Sequence, residues 1–214
     1  MALAFSWGTT IPSTNIYVDG FNLYYGAVKG TPYKWLDVAA LCQRILPKII
    51  INRVRYFTAM VDGSRDPSAP LRQQIYLRAL ATIPNLTIHR GFFLTKPTWM
   101  PVETPPPKRI RVIKTEEKGS DVNLATYLML DAFRSDFDQA IVVSNDSDLA
   151  EPIRIVQAEF GLAVGAFNPH KRRAHEINKA ARFMRNIHIT SVASSQFPPT
   201  LIDAQGTFSK PVGW

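Results

Sequence analysis

Three short acidic motifs stand far apart in the chain: Asp19-Gly20-Phe21-Asn22, Gly119-Ser120-Asp121 and Ser144-Asn145-Asp146-Ser147-Asp148. The first and third follow almost wholly apolar runs at 15–18 and 140–143, and the second opens a helical pattern. In a parallel α/β sheet the loops after the strands gather on one edge, so the motifs are expected to meet there. Carboxylates brought together repel one another unless a cation sits between them. Hard oxygen ligands of this kind suit Mg²⁺ or Mn²⁺, which prefer carboxylate and water. Each aspartate also has an ordinary role open to it. Asp19-Gly20 is a common turn pair. Asp121 follows Ser120 at a helix start, where the helix dipole favours a carboxylate. Asp148-Leu149-Ala150-Glu151 resembles a capping box, with Asp148 serving its own helix. Their joint placement is what points to a metal site.

The elements that must position these residues alternate along the chain. Apolar strand patterns at 15–18, 54–61, 86–94, 140–143, 162–167 and 187–190 are separated by helical ones. Strands alternating with helices predict an α/β fold with a central, mainly parallel sheet. Asp66-Pro67 reads as an N-cap with proline in the first turn, leading into Leu71, Ile75 and Ala79. Ser120 can cap a helix whose apolar face is Val122, Ala125, Leu128 and Met129, and 177–184 gives a further helical face. Residues 1–13 read as an N-terminal extension and 14–190 as the domain. The tail, 191–214, has prolines and no helical period, which predicts an extended appendage, ordered only if it docks. Within the domain, 95–118 carries Pro105-Pro106-Pro107 and alternating Arg109, Ile110, Arg111 and Val112, the pattern of a projecting loop or β-arm.

The chain has 214 residues, 46% of them apolar, enough for one well-buried core and too apolar for global disorder. Its net charge of +8 fits a nucleic-acid partner, through phosphate neutralisation, and equally a merely basic surface. Cys42 is the single cysteine, which excludes an intrachain disulfide and a cysteine metal cluster. It shares a helical stripe with Val38, Leu41 and Ile45, so core packing is expected of it. No window has the length of a membrane span, and residues 1–13 lack an export pattern, so a cytoplasmic protein is expected. Two basic groups could hold a strand of phosphates. Lys108, Arg109, Arg111, Lys114 and Lys118 lie on the arm, with Trp99 as a stacking surface. Lys171, Arg172 and Arg173 follow His170 near the same sheet edge. The four histidines are too scattered for a zinc site. Trp99, Phe197, Phe208 and Trp214 offer a surface for a homodimer or protein partner through the arm or tail.

Asp19-Gly20-Phe21-Asn22, Lys118-Gly119-Ser120-Asp121-Val122-Asn123-Leu124-Ala125 and Val143-Ser144-Asn145-Asp146-Ser147-Asp148-Leu149 together resemble the signature blocks of NYN-domain proteins, within the PIN-like superfamily of metal-dependent ribonucleases. The similarity runs in order over about residues 15–190. It implies a three-layer α/β/α PIN-like fold and a Mg²⁺ or Mn²⁺ site formed by Asp19, Asp121 and Asp146, with Asp148 beside them. Asn22 matches the family asparagine that supports the first aspartate or touches phosphate. The implied activity is endonucleolytic hydrolysis of single-stranded RNA, leaving 5′-phosphate and 3′-hydroxyl ends. The alternative is an RNA-binding adaptor with weak or lost catalysis. Many PIN enzymes also carry an acidic residue on a helix between the first two blocks. The 71–81 helix has no matching carboxylate; Asp62 and Asp66 lie before it, and Glu116 and Glu117 precede the second block.

Overall fold

In the computed structural model, which describes residues 11–64, 66–104 and 106–214, the apolar runs line up as neighbouring strands. They are β1 (Ser13–Asp19), β2 (Ile50–Ala59), β3 (Leu86–Pro101), β4 (Arg109–Lys118), β5 (Gln139–Val143), β6 (Ala163–Asn168) and β7 (Met184–Asn186). The seven-stranded sheet has the order β4-β3-β2-β1-β5-β6-β7, parallel throughout except for β4. The helices are α1 (Gly20–Leu23), which runs on as a π-helical stretch Tyr24–Val28, then α2 (Val38–Ile45), α3 (Ala69–Leu80), α4 (Ser120–Phe133), α5 (Ala150–Phe160), α6 (His175–Ala180) and α7 (Ile189–Ala193). This is the α/β/α architecture expected.

Strand alternation explains why the sheet is covered twice. Ile16 and Val18 of β1 face one core, shared with Leu41 of α2 and Leu80 of α3. Tyr17, between them, faces the other, shared with Leu124 and Leu128 of α4 and Ile153 of α5. A strand buried on both sides reads as an unbroken apolar run, which is why β1 and β5 were legible. The strand order reverses between β1 and β5, and α/β sheets bind ligands outside the carboxyl ends of the strands at such a switch point.

A buried ion pair fixes α4 to the sheet. The Arg55 guanidinium of β2 donates to both carboxylate oxygens of Asp131, at 2.6 and 2.7 Å, and the Tyr17 hydroxyl donates to the same carboxylate at 2.8 Å. Burial, with Asp131 beside it, drives the Tyr17 hydroxyl pKa far up, so it stays a donor. Asp121 lies on the same helix, so this anchor also sets where Asp121 sits.

Several boundaries differ from the sequence reading. The last strand of the seven-stranded sheet is Met184–Asn186; residues 187–190 instead lead into α7, and α6 ends at Ala180. The helix after Asp66 begins at Ala69, and the Asp66 carboxylate accepts from the Ser68 amide at 3.1 Å. Leu71 and Val122, expected inside, are exposed; Leu77, Leu80 and Leu124 are buried in their place, and Leu128 is buried as expected. Ser120 is the first helical residue and the cap position belongs to Gly119, whose φ of 97° a side-chain-bearing residue rarely adopts. The tail docks on the domain. After α7 it bridges to Leu36 at Gln196 and forms a hairpin of β8 (Thr200–Asp203) and β9 (Gly206–Ser209). Phe197 and Phe208 stack edge-on against Trp35 at 5.8 and 6.4 Å, and Trp214 packs on Tyr76 at 5.7 Å. Those aromatics are therefore spent within the chain, and of the set expected to meet a partner Trp99 stays 57% exposed. Of the expected N-terminal extension, residues 1–10 lie outside the described residues, and strand pairing begins at Ser13.

Candidate active site

Asp19 is the last residue of β1 and almost fully buried. One carboxylate oxygen accepts from the Asn22 amide at 2.9 Å, capping α1, and the other accepts from the Ser144 hydroxyl at 2.9 Å. Ser144 in turn accepts from the Asp146 amide at 3.1 Å. The Asn22 side chain crosses to the same loop, its carbonyl oxygen accepting from the Asn145 amide at 2.9 Å. The first and third motifs are thus stitched together across the β1–β5 switch point by one side-chain-to-side-chain bond and one side-chain-to-backbone bond. Asn145 extends the stitching, donating to the Arg172 carbonyl at 3.0 Å and accepting from the Ala174 amide at 2.8 Å.

Asp146, not Asp148, caps the following 3₁₀ turn: its carboxylate accepts from the Asp148 amide at 3.0 Å. The capping-box reading of Asp148 is corrected by this, because the loop bends one residue pair earlier than the sequence pattern implies. Asp148 is exposed and lies outside the cleft, although Asp121 still feels its charge.

Asp19, Asp121 and Asp146 line one cleft of about 360 Å³, together with Asn22, Phe21, Tyr25, Phe93, His170 and a further carboxylate, Glu117. Glu117 is the site residue that the sequence reading noted without placing. It reaches the cleft from β4, opposite Phe93 in the β3–β4 ladder, and accepts from the Ser120 amide at 3.1 Å. Gly91 makes room for it, since a Cβ there would collide with the Glu117 carboxylate and the Lys118 carbonyl. The signal that could have found Glu117 is its position four residues before Asp121, at the root of a hairpin; only the ladder register shows which way it points. His170, set aside by the sequence reading, also lines the cleft.

The electrostatics are those of crowded like charges. Burial pushes the Asp19 carboxyl up to about 6, with Asp121 and Asp146 adding to the rise. Burial likewise lifts Asp121 to about 6, with Asp146, Glu117 and Asp148 contributing. Among the described residues no three His, Cys, Asp or Glu side chains close into a ready-made coordination shell. The oxygen-only donor set and the mutual repulsion fit a hydrated hard cation, held partly through water, since Mg²⁺ gives up its waters reluctantly.

The arm is a two-stranded ribbon whose pairs run from Phe92↔Lys118 to Pro101↔Arg109. Residues directly opposite share a face, and faces alternate along each strand. Glu117 and Phe93 therefore share a face with Trp99, Arg111 and Arg109, a strip some ~20 Å long from Glu117 to Arg111 at about 3.4 Å per residue. Lys114 and Lys118 point to the other face, where both pair with Glu116. Lys108 sits exposed at the arm's tip. Lys171, Arg172 and Arg173 are all exposed. Arg173 donates to Asn186 at 2.9 Å and to Asn178 at 3.4 Å, which turns it towards Arg44, Arg185 and His188 instead of the cleft.

Fold and site together define a doubly wound α/β/α protein with an acidic, cation-suited cleft at its switch point. The chain belongs to the NYN domain family, whose model matches residues 13–188; the family consists generally of nucleases of the PIN-like superfamily. A similar protein is 6-hydroxy-3-succinoylpyridine 3-monooxygenase HspA of Pseudomonas putida, 31% identical over 235 residues, with 94% of this chain and 75% of that protein covered. A crystal structure of a protein of unknown function from Vibrio parahaemolyticus has the same fold, with a TM-score of 0.56 at 17% identity, covering 83% of this chain and 93% of the other. No helix among the described residues is long and apolar enough to cross a membrane.

Proposed function

We propose that the cleft hydrolyses phosphodiester bonds of single-stranded RNA as an endonuclease dependent on Mg²⁺ or Mn²⁺, leaving 5′-phosphate and 3′-hydroxyl ends. The observation that carries this reading is the gathering of Asp19, Asp121, Asp146 and Glu117 around one cleft at the β1–β5 switch point. Asp19, Asp121 and Asp146 would hold the cation directly or through water, with Asp148 at the rim. Glu117 supplies the further carboxylate that the 71–81 helix lacks. A bound divalent cation lowers the pKa of a water and stabilises the charge developing on a leaving oxygen. Asn22 and Ser144 keep the Asp19 carboxylate turned as found, and Asn145 holds the loop of Lys171 and Arg172 against the site. Arg109, Arg111 and Trp99, on the face shared with Glu117, would guide an unstacked strand by phosphate contact and base stacking. Lys108, Lys114, Lys118 and Arg173 would add less directed positive charge.

The test is a labelled-RNA cleavage assay with Mg²⁺, Mn²⁺ and EDTA, run beside Asp121→Ala. Metal-dependent cutting that the substitution abolishes supports the hydrolase. RNA binding without cutting under every condition supports an adaptor instead. A second reading carries over the printed activity of the Pseudomonas relative, and an aromatic-walled pocket next to the cleft favours it. Oxygen consumption with a succinoyl-substituted hydroxypyridine and an added two-electron donor such as a reduced nicotinamide, in a preparation that leaves RNA intact, would replace the hydrolase reading.

A further inference from the structure

The pocket beside the cleft measures about 430 Å³ and shares Phe21 and Tyr25 with it. Tyr24, Tyr76 and Trp214 complete aromatic walls that offer π-faces to a planar ring. Tyr24 and Tyr25 begin the π-helical stretch, a local form that occurs frequently at functional sites. Several polar groups at the pocket are already committed. Gln73 donates to the Ala59 carbonyl and accepts from the Val61 amide, both at 2.8 Å, and Arg72 is paired with Asp66. Two groups are not. Tyr56 is 5% exposed, and its hydroxyl has no hydrogen-bond partner among the described residues although it lines the pocket. Lys34, half-buried at the rim, has no ion pair or hydrogen bond among the described residues. A pocket-lining hydroxyl with no protein partner is left to water or a ligand.

Aromatic faces, a free donor and a free cation together suit a planar heteroaromatic ring with polar edges attached to an anion, which is the chemistry of a nucleotide. Continuity with the carboxylate cleft through Phe21 and Tyr25 decides for a nucleotide over an unrelated aromatic acid. We propose that this pocket binds the nucleotide next to the bond cut in the cleft, its base stacked among Tyr24, Tyr25 and Trp214 and its phosphate near Lys34, so that the pocket sets which sequence is cut. The statement about cutting rests on the hydrolase reading; the binding does not.

The experiment titrates the full chain with each of the four common nucleoside 5′-monophosphates, with EDTA present so that the cation site is silent, followed by calorimetry and tryptophan fluorescence. Saturable binding is expected, weakened about tenfold by Lys34→Met, several-fold by Tyr56→Phe and not at all by Asp121→Ala. Tyr56→Phe keeps the ring, so the core is preserved. Nucleotide binding that both pocket substitutions leave unchanged overturns the proposal. So does a pyridine carboxylate that binds in a Lys34-dependent way while no nucleotide does. If RNA is cut, the base preference beside the cut should relax in Tyr56→Phe. Nucleotide binding with no cleavage would sink the hydrolase reading alone; cleavage with no nucleotide binding would sink the pocket alone.

Discussion

Replacing Asp19 by asparagine should stabilise the protein while disabling the cleft. The Asp19 carboxyl is held at about 6, through burial first and the facing Asp121 and Asp146 next. An unfolded chain leaves an aspartate near ~3.9, so ionising Asp19 in the folded state costs roughly two pKa units, or ~3 kcal/mol at neutral pH. The sign follows from proton counting. Between the unfolded and folded pKa values the folded state binds more protons, so this carboxyl costs nothing below about 4, and its cost grows as pH rises through about 6. The amide of an Asp19→Asn variant would carry no such charge. Its oxygen can still accept from the Asn22 amide, and its NH₂ can donate to Ser144, which already accepts from Asp146. For a chain of this length ~3 kcal/mol corresponds to a rise in Tm of ~6–12 °C, an upper bound because the loop can relax. Thermal melts in EDTA at pH 7 and at pH 4 make the assay: the gain should be large at the first and shrink to under ~1 kcal/mol at the second. Added Mg²⁺ should raise the Tm of the parent at neutral pH and leave the variant nearly unmoved. A variant no more stable than the parent at neutral pH in EDTA would refute the claim that burial and the facing carboxylates make the ionised Asp19 costly to hold.

Other consequences can be measured in the same preparations. Asp131→Ala strands the buried Arg55 guanidinium and the Tyr17 hydroxyl, and should cost about 3–5 kcal/mol in urea titrations; the Arg55→Met, Asp131→Leu double variant should recover much of that loss. Asp203, held by Arg78 down to about 2, contributes stability that is present above the unfolded value near ~3.9 and is lost as pH falls towards 2. Tryptophan fluorescence should therefore show the tail hairpin loosening over that window in the parent, and Arg78→Ala should remove the transition. On the arm, Arg111→Ala should weaken RNA binding and lower its salt slope by about one, because that guanidinium has no acidic partner among the described residues. Lys114→Ala should change it less, since its ammonium is paired with Glu116 on the opposite face. Equal losses in a salt-dependent binding titration would show that the two arm faces do not differ.

The sequence by itself determined the α/β class and the edge on which the chemistry gathers. Strands such as β1 and β5 are continuous apolar runs because both faces are covered, and that pattern is local, as is the Asp-Gly turn that ends β1. Asp19, Asp121 and Asp146 could therefore be read as neighbours, since parallel strands joined by helices leave their following loops on one side. The tertiary structure decided what depends on register and on distant contacts. Glu117 turns into the cleft only because it pairs with Phe93 across the β3–β4 ladder, and a slip of one residue would have sent Glu116 there instead. The same parity parts Arg111 from Lys114, which composition had grouped as one basic arm. Asp146 takes the cap that the sequence pattern gave to Asp148, because the loop after β5 is held by Asp19 and Asn22 from another part of the chain. The tail has no periodicity to read, yet Phe197, Phe208 and Trp214 find Trp35 and Tyr76 far back in the sequence. A local pattern records which face a residue turns to its own element; which element comes to meet that face is settled only when the chain has folded.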